Sequence, residues 1–319
     1  MPALQPPEYP SIFVAADRAA IARQREFVFM MVAQLVLLVA VTIVTNIATA
    51  GLFKDEAGND RISGPLSVVS AALLFVTLVL SFFLRHNNPD ERWFQCRALA
   101  ENTKCLAWYY AMGAPLPGAG SRDERFVNAV GELRKRLTRT RHCLADEGVG
   151  SAWITPWMRS LAGASLQERL ATLRTHRIAD QCAWYDRKSK FNASRDSVFY
   201  GLVFALEVAA LALAAWFIVR QVDLGQVDAV FQLGYPGIFA TVAASCIAWT
   251  QFRRYGDLIT TYSIAADDLR LIEAAAHSLE VRLATLAPDA AEAEFQTLVQ
   301  RAEAAISREH SVWLGPNLP

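Results

Sequence analysis

Residues 27–48 read Phe27-Val-Phe-Met-Met-Val-Ala-Gln-Leu-Val-Leu-Leu-Val-Ala-Val-Thr-Ile-Val-Thr-Asn-Ile-Ala48, without one charged side chain. The hydrocarbon core of a bilayer is about 30 Å thick, and a helix crosses it in roughly 20 residues. This run is therefore long enough to span. It is too long for the apolar core of a secretory leader and no convincing cleavage site follows, so it is expected to stay in the chain. Three further stretches qualify: 66–84, rich in Val, Leu, Ser and Phe; 198–219, interrupted by the acid Glu207; and 231–249, with Pro236 in its first turns. The reading is an integral membrane protein with four transmembrane helices in two hairpins.

Composition agrees with that reading. The chain has 319 residues, 53% hydrophobic and only 19% charged, whereas a soluble domain carries about a quarter charged residues. Its 31 basic side chains balance 31 acidic ones, so there is no overall basic excess to attract double-stranded nucleic acid. The apolar content excludes disorder for most of the length. Five cysteines, Cys96, Cys105, Cys143, Cys182 and Cys246, come without a C-x-x-C pair or a histidine at ligand spacing. They read as free thiols in a reducing compartment, not as a disulfide framework or a zinc site.

Orientation follows from Lys and Arg near the span ends. Arg18, Arg23, Arg25, Arg85, Arg92, Arg97, Lys104, Arg187, Lys188, Lys190, Arg195, Arg253 and Arg254 lie on the outer flanks. The short loops inside the hairpins hold only Lys54, Arg61 and Arg220. Both termini and the middle region are expected in the cytosol.

The cytosolic part comes as residues 1–26, 85–197 and 250–319. The first piece begins with a Pro-rich extended segment and becomes helical around Asp17. Asn87, Asn88 and Pro89 break the chain after the second span, and a helix is expected from there to Met112, before Gly113 and Pro115. A second should run over 122–146, with Phe126, Val130, Leu133 and Leu137 on one face. Ser165 and Glu168 have capping-box spacing. No Gly or Pro follows until Gly201, so one helix is expected from Leu166 to Val219. After the fourth span nothing is expected to interrupt the helix until Pro288. Beyond it, Asp289 and Glu292 cap a last helix reaching Trp313. No segment alternates with period two, so the fold class is all-α, with long helices continuing from the membrane into a cytosolic helical bundle. The two halves share one plan, which divides the chain into two-span units at 1–150 and 151–319.

The motifs of catalysis are missing. There is no phosphate-binding G-x-x-x-x-G-K-[ST], no nucleophile elbow and no H-E-x-x-H, and the five histidines are scattered. An enzyme is not expected, and neither is a cofactor. Three features carry weight instead. Glu207 lies near the middle of the third span, where an acid is either functional or protonated and hydrogen-bonded among helices. Ser67, Ser70, Thr77 and Ser81 share one face of the second span, and Gln34, Thr42, Thr45 and Asn46 do something similar in the first. Such a stripe lines a pore or packs helix on helix. By contrast Ala240, Ala244 and Ala248 read as a packing face of the fourth span. The third feature is a basic run, Arg134, Lys135, Arg136, Arg139 and Arg141. Residues 85–197 hold 19 basic and 12 acidic side chains, and 250–319 hold six and ten. Packing of the middle piece on the tail, lipid headgroups or an anionic ligand such as a nucleotide would each use that asymmetry.

The stretch Glu91-Arg-Trp-Phe-Gln-Cys-Arg-Ala-Leu-Ala-Glu-Asn-Thr-Lys-Cys-Leu-Ala-Trp-Tyr-Tyr110 resembles the helix that follows the hairpin in the SLATT (SMODS- and SLOG-associating two-transmembrane effector) families. Trp93, Arg97, Glu101, Lys104, Trp108 and Tyr109 carry the pattern, with departures at Tyr109-Tyr110 and Cys105, where the family has more basic or hydroxylic character. A second block is similar: Ile154-Thr-Pro-Trp-Met-Arg159, Glu168-Arg169, Arg177, Gln181, Trp184-Tyr185 and Lys188. The closing Glu309 and Trp313 match as well. The resemblance covers nearly the whole chain as two units in tandem. It implies a homo-oligomeric effector that forms a membrane pore in antiphage defence. The implied trigger is a nucleotide-derived second messenger or a nucleotide-sensing partner protein, with these aromatic and charged positions and the basic run as candidates for receiving it. Read from the residues alone, such positions at helical spacing are more often bundle core with surface pairs than a ligand site. Two other functions stay open: a small transporter using Glu207 as coupling acid, and a non-conducting membrane anchor for partner proteins.

Overall fold

The computed structural model describes residues 6–50, 61–137, 144, 150, 152–224 and 234–313. The described elements are helices: α1 (Ser11–Thr49), α2 (Ser63–Asn87), α3 (Pro89–Ala111), α4 (Arg122–Arg136), α5 (Pro156–Ala162), α6 (Leu166–Leu173), a π-helical turn (Arg174–Ala179), α7 (Asp180–Leu224), α8 (Tyr235–Arg253), α9 (Tyr255–Arg282) and α10 (Pro288–Trp313). No strand occurs among the described residues. The hairpin loops at 51–60 and 225–233, with the first residues of the fourth apolar stretch, lie outside them.

Local chemistry explains most boundaries. Asn88 ends α2 in the left-handed region at φ 42°, which Asn tolerates better than most residues. Pro89 then opens α3, with Asp90 and Glu91 on the positive end of its dipole. Ser165 and Glu168 form the expected capping box: the Glu168 amide donates to Ser165 Oγ at 3.3 Å, and the Ser165 amide to Glu168 Oε2 at 3.2 Å. Ser121 and Glu124 repeat the device at the start of α4.

Four expectations need correction. The first helix begins at Ser11, ahead of Asp17, because Ser11 Oγ donates to the Gly150 carbonyl at 2.7 Å and anchors that end. Helix α4 stops at Arg136; only Leu144 of its expected continuation is described, and it packs in the same apolar cluster as Leu137. The helix from Leu166 is continuous but contains a π turn. The helix after the fourth stretch breaks at Arg254, which sits at φ 52° and donates through Nε to Asp257 Oδ2 at 2.8 Å. That side-chain contact holds an arginine in a conformation that costs other L-residues energy.

The chain forms two compact units. One comprises 1–25, 89–191 and 258–319, the other 26–88 and 192–257. In the first, α3 packs on α4, α5 and α10. Its core holds Trp108, Met112, Phe126, Met158, Leu173, Ile178, Tyr185 and Phe295, all buried. Thr155 Oγ1 donates to the Glu8 carbonyl at 2.9 Å, tying the extended start of the chain to α5. This unit has the apolar interior and charged exterior of a protein in water.

The second unit inverts that pattern. Phe29, Phe75, Phe82 and Leu211 are exposed, whereas Ser70 and Thr77 are buried. Three helical stretches, Ser11–Thr49, Ser63–Ala111 and Leu166–Val219, are long and apolar enough to cross a membrane. Apolar side chains pointing outward while hydroxyls point inward is the arrangement lipid demands of a helical protein. The protein is a multi-pass membrane protein. Within this unit Ala243 is the buried alanine of α8, and Ala240, Ala244 and Ala248 face outward.

Candidate functional site: a buried ion pair at a π turn

The site begins with one arginine. Arg177 sits in the π turn and is only 1% exposed. Taking its charge out of water is tolerable only with a good partner. Glu303 of α10, also 1% exposed, supplies it. Arg177 Nε donates to Oε1 at 2.7 Å and Nη2 to Oε2 at 2.6 Å, a bidentate fork. Burial pulls the guanidinium pKa down, but the Glu303 charge and hydrogen bonds more than reverse this and leave it raised. Arg177 keeps its charge.

Helix α3 closes over this pair. The Trp108 ring lies 5.7 Å from the Arg177 guanidinium, and its Nε1 donates to the Tyr9 hydroxyl at 3.2 Å. Lys104 Nζ is 5.4 Å from the Tyr9 ring centroid. Burial lowers the Lys104 pKa, and the Arg177 charge adds to that against the opposing pull of Glu101. Burial, then the Glu303 carboxylate, pushes the Cys105 thiol far up, so it stays protonated and is a poor nucleophile. A shallow cleft, partly open to solvent and with room for about one water molecule, is lined by Glu101, Asn102, Cys105, Arg177, Glu303 and Ser307. Glu101 is held on its far side by Arg97, which also donates to Asp17 Oδ1 at 3.1 Å.

Two more ion pairs join the same elements. Arg174, also of the π turn, donates through Nε and Nη2 to Glu273 Oε1 at 3.0 and 2.7 Å, and through Nη1 to Glu280. Arg169 of α6 donates through Nη1 and Nη2 to Glu292 at 2.9 and 2.6 Å, and caps the Met112 carbonyl at 2.8 Å. The excess of cations in the middle piece and of anions in the tail thus meets as three specific pairs. Hydrogen bonds from Arg169 hold the Glu292 carboxyl below the usual carboxylate range, against the opposing effect of burial. A lowered folded pKa means stability that is present above the unfolded value of about 4.3 and lost as pH falls through the folded one. The thermal midpoint should therefore drop on acidification below about pH 4.5. Glu292→Gln should be less stable at neutral pH and show a shallower acid decline; equal slopes would contradict this.

Of the residues marked from sequence, Arg97, Glu101, Lys104 and Trp108 gather here. Tyr109 packs against the same core, and burial raises its phenol to about 12. Trp93 lies apart with Ala19, Ala20 and Cys96. In the basic run, Arg134 lies over the Trp153 ring at 5.9 Å and Lys135 pairs with Glu132 at 2.6 Å, while Arg136 is exposed. Arg139 and Arg141 lie outside the described residues, as do the side chains of Glu309 and Trp313. In the second unit Gln34 Nε2 donates to Ser81 Oγ at 3.0 Å, and Thr45 Oγ1 and Ser70 Oγ share a hydrogen bond of 2.6 Å. Ser67, Thr42, Thr77 and Asn46 donate to carbonyls of their own helices. Glu207 is exposed on α7 and no described residue hydrogen-bonds to it.

Glu303, Tyr9, Glu273 and Glu280 were not foreseen. Only Glu303 left a trace in the sequence. It is an acid set among the apolar positions Phe295, Val299, Ala302 and Ile306 of an amphipathic helix, where a charge needs a partner.

These features define the class: a helical membrane protein whose water-facing unit is cross-linked by ion pairs, the central one buried. Residues 10–170 match the family model of SMODS and SLOG-associating 2TM effector domain 3, and residues 174–313 match that of SMODS and SLOG-associating 2TM effector domain 1. The chain belongs to the SLATT family, with two such domains in tandem. No curated protein and no solved structure matches it. The family makes it a membrane-associated effector linked to nucleotide-sensing defence systems.

Proposed function

We propose that this chain is a homo-oligomeric, pore-forming effector of antiphage defence in the bacterial inner membrane. It has four spans in two hairpins and both termini in the cytosol. A nucleotide-derived second messenger or a nucleotide-sensing partner protein acts on the cytosolic bundle. The carrying observation is the outward apolar surface of three long helices on a chain with two SLATT domains. Four spans cannot enclose a wide conduit alone, so a closed ring of subunits is the expected solution. The outward line Ala240, Ala244 and Ala248 supports this, because small residues four apart let a neighbouring membrane helix approach closely. The first test is membrane potential in cells expressing the chain with and without its genomic neighbours. Depolarisation should require both the chain and the signal. A membrane-inserted chain that never depolarises cells would be an anchor instead. Detergent-purified protein should have a mass above one chain, and a monomer at all concentrations would sink the pore.

The unpaired position of Glu207 favours the transporter as a second reading. Glu207→Gln separates the two. Gradient-driven uptake disappears in a transporter that uses this acid, whereas a pore lined elsewhere conducts as before.

A further inference from the structure

The core-facing residues of the helix from Leu166 fall into two series. Leu166, Leu170, Leu173 and Arg177 recur at four, three and four. Ile178, Cys182, Tyr185 and Ser189 repeat the same spacing, starting at the very next residue. Both ends of that seam are buried: Arg177 is 1% exposed and Ile178 not at all. An α-helix cannot keep two such series on one side, because adjacent residues point about 100° apart. The π turn absorbs the extra residue and brings both series to the same core.

A second seam exists on the same helix. If Arg174–Ala179 closed to α geometry, the first series would continue through Gln181, Trp184, Lys188 and Phe191. Trp184 is already half-buried, 5.4 Å from the Tyr262 ring, and Lys188 lies over Trp184 and Phe191 at 5.8 Å from each. Trp184 and Phe191 give this face two large apolar side chains, with Gln181 and Lys188 between and beside them. The observed register is held by tertiary contacts: Arg174 to Glu273 and Glu280, and Arg177 to Glu303. Locally it is unfavourable, since the buried Nε2 of His176 in the turn finds no hydrogen-bond partner among the described residues.

We propose that the π turn is a register switch: its closure to α geometry turns α7 by one residue about its own axis and exchanges the Ile178–Tyr185 seam for the Trp184–Phe191 seam. The rotation is about 100°, with an axial shift of about 1.5 Å. Because α7 runs without a break from Asp180 to Leu224, Glu207 turns with it. The consequence for conduction rests on the proposed pore; the switch itself does not.

Ser189 and Ser263 report the register directly, because their hydroxyl oxygens are 2.9 Å apart. In the full chain with its native cysteines replaced by alanine, Ser189→Cys with Ser263→Cys reads the observed register. Lys188→Cys with Ser263→Cys reads the rotated one. Deleting Thr175, exposed in the π turn, removes the extra residue. Leu166, Leu170 and Leu173 then run on into Ile178, Cys182, Tyr185 and Ser189 on one side of a plain α-helix, with Arg177 at its flank, and no second register is left. Oxidation should link 189 to 263 in both backgrounds. The 188–263 link should form at least about tenfold faster in the undeleted chain than in the deletion. Glu273→Gln with Glu280→Gln, which frees Arg174 without burying a charge, should speed that link further in the undeleted chain. Equal 188–263 rates with and without Thr175 overturn the switch. If the deletion fails to fold, shown by loss of its 189–263 link, then no acceleration by the Glu273 and Glu280 variants overturns it. Both readouts are independent of whether the chain conducts.

Discussion

Glu303→Ala should be the most destabilising single substitution in the water-facing unit, at about 3–5 kcal/mol. The size comes from what is left behind. Arg177 is 1% exposed and cannot be deprotonated, so a full charge would be left buried beside the Trp108 face without the carboxylate that now pairs with it. Glu303→Gln should be nearly as damaging, since it keeps the shape but not the charge. Replacing both partners, Arg177→Met with Glu303→Leu, should recover most of the loss, because an apolar pair of similar volume has no desolvation cost. Thermal or denaturant unfolding of the detergent-solubilised protein measures all three. A loss for Glu303→Ala below about 1 kcal/mol is the value of an exposed pair and would refute the buried one. The double variant adds a functional reading: if it is stable yet unresponsive to the signal, the charges serve switching as well as packing.

Ala193→Pro should abolish signal-dependent toxicity while leaving expression and membrane insertion intact. Ala193 lies inside α7, whose helix runs unbroken from Asp180 to Leu224. Proline there removes a backbone hydrogen bond and clashes with the preceding turn, at a cost of about 3 kcal/mol or more. The helix kinks, and a rotation or tilt at its start no longer reaches its apolar half. Ala193→Ser, which keeps the hydrogen bond, should be close to silent. A proline variant that inserts and kills as efficiently as the parent would move the gating role to the helices after the second span.

The long apolar runs, the break at Asn88-Pro89 and the capping box at Ser165 were legible because each rests on local chemistry. Span length, φ preference and side-chain-to-amide hydrogen bonding involve residues within one or two turns of each other. The SLATT pattern in α3 was legible for a related reason, since its aromatics and charges recur at helical spacing. The break at Arg254 was not. Arginine has no preference for the left-handed region, and its conformation depends on Asp257 and on packing at that point. Nor was the direction of the alanine line on α8, because four-residue spacing of small residues says which side packs closely but not against what.

The sequence by itself determined an all-helical membrane protein of the SLATT kind, for hydropathy, helix punctuation and motif spacing are properties of neighbours along the chain. Only the tertiary structure decided that Arg169, Arg174 and Arg177 reach Glu292, Glu273 and Glu303 across 99 to 126 residues, and that the helix between α6 and α7 opens into a π turn. The adjacent core residues Arg177 and Ile178 hint at an extra residue. Whether a helix absorbs it as a π turn or turns one residue outward depends on partners far away in sequence. Here those partners are carboxylates on α9 and α10, and a charge that must be buried makes the turn follow its counter-ion.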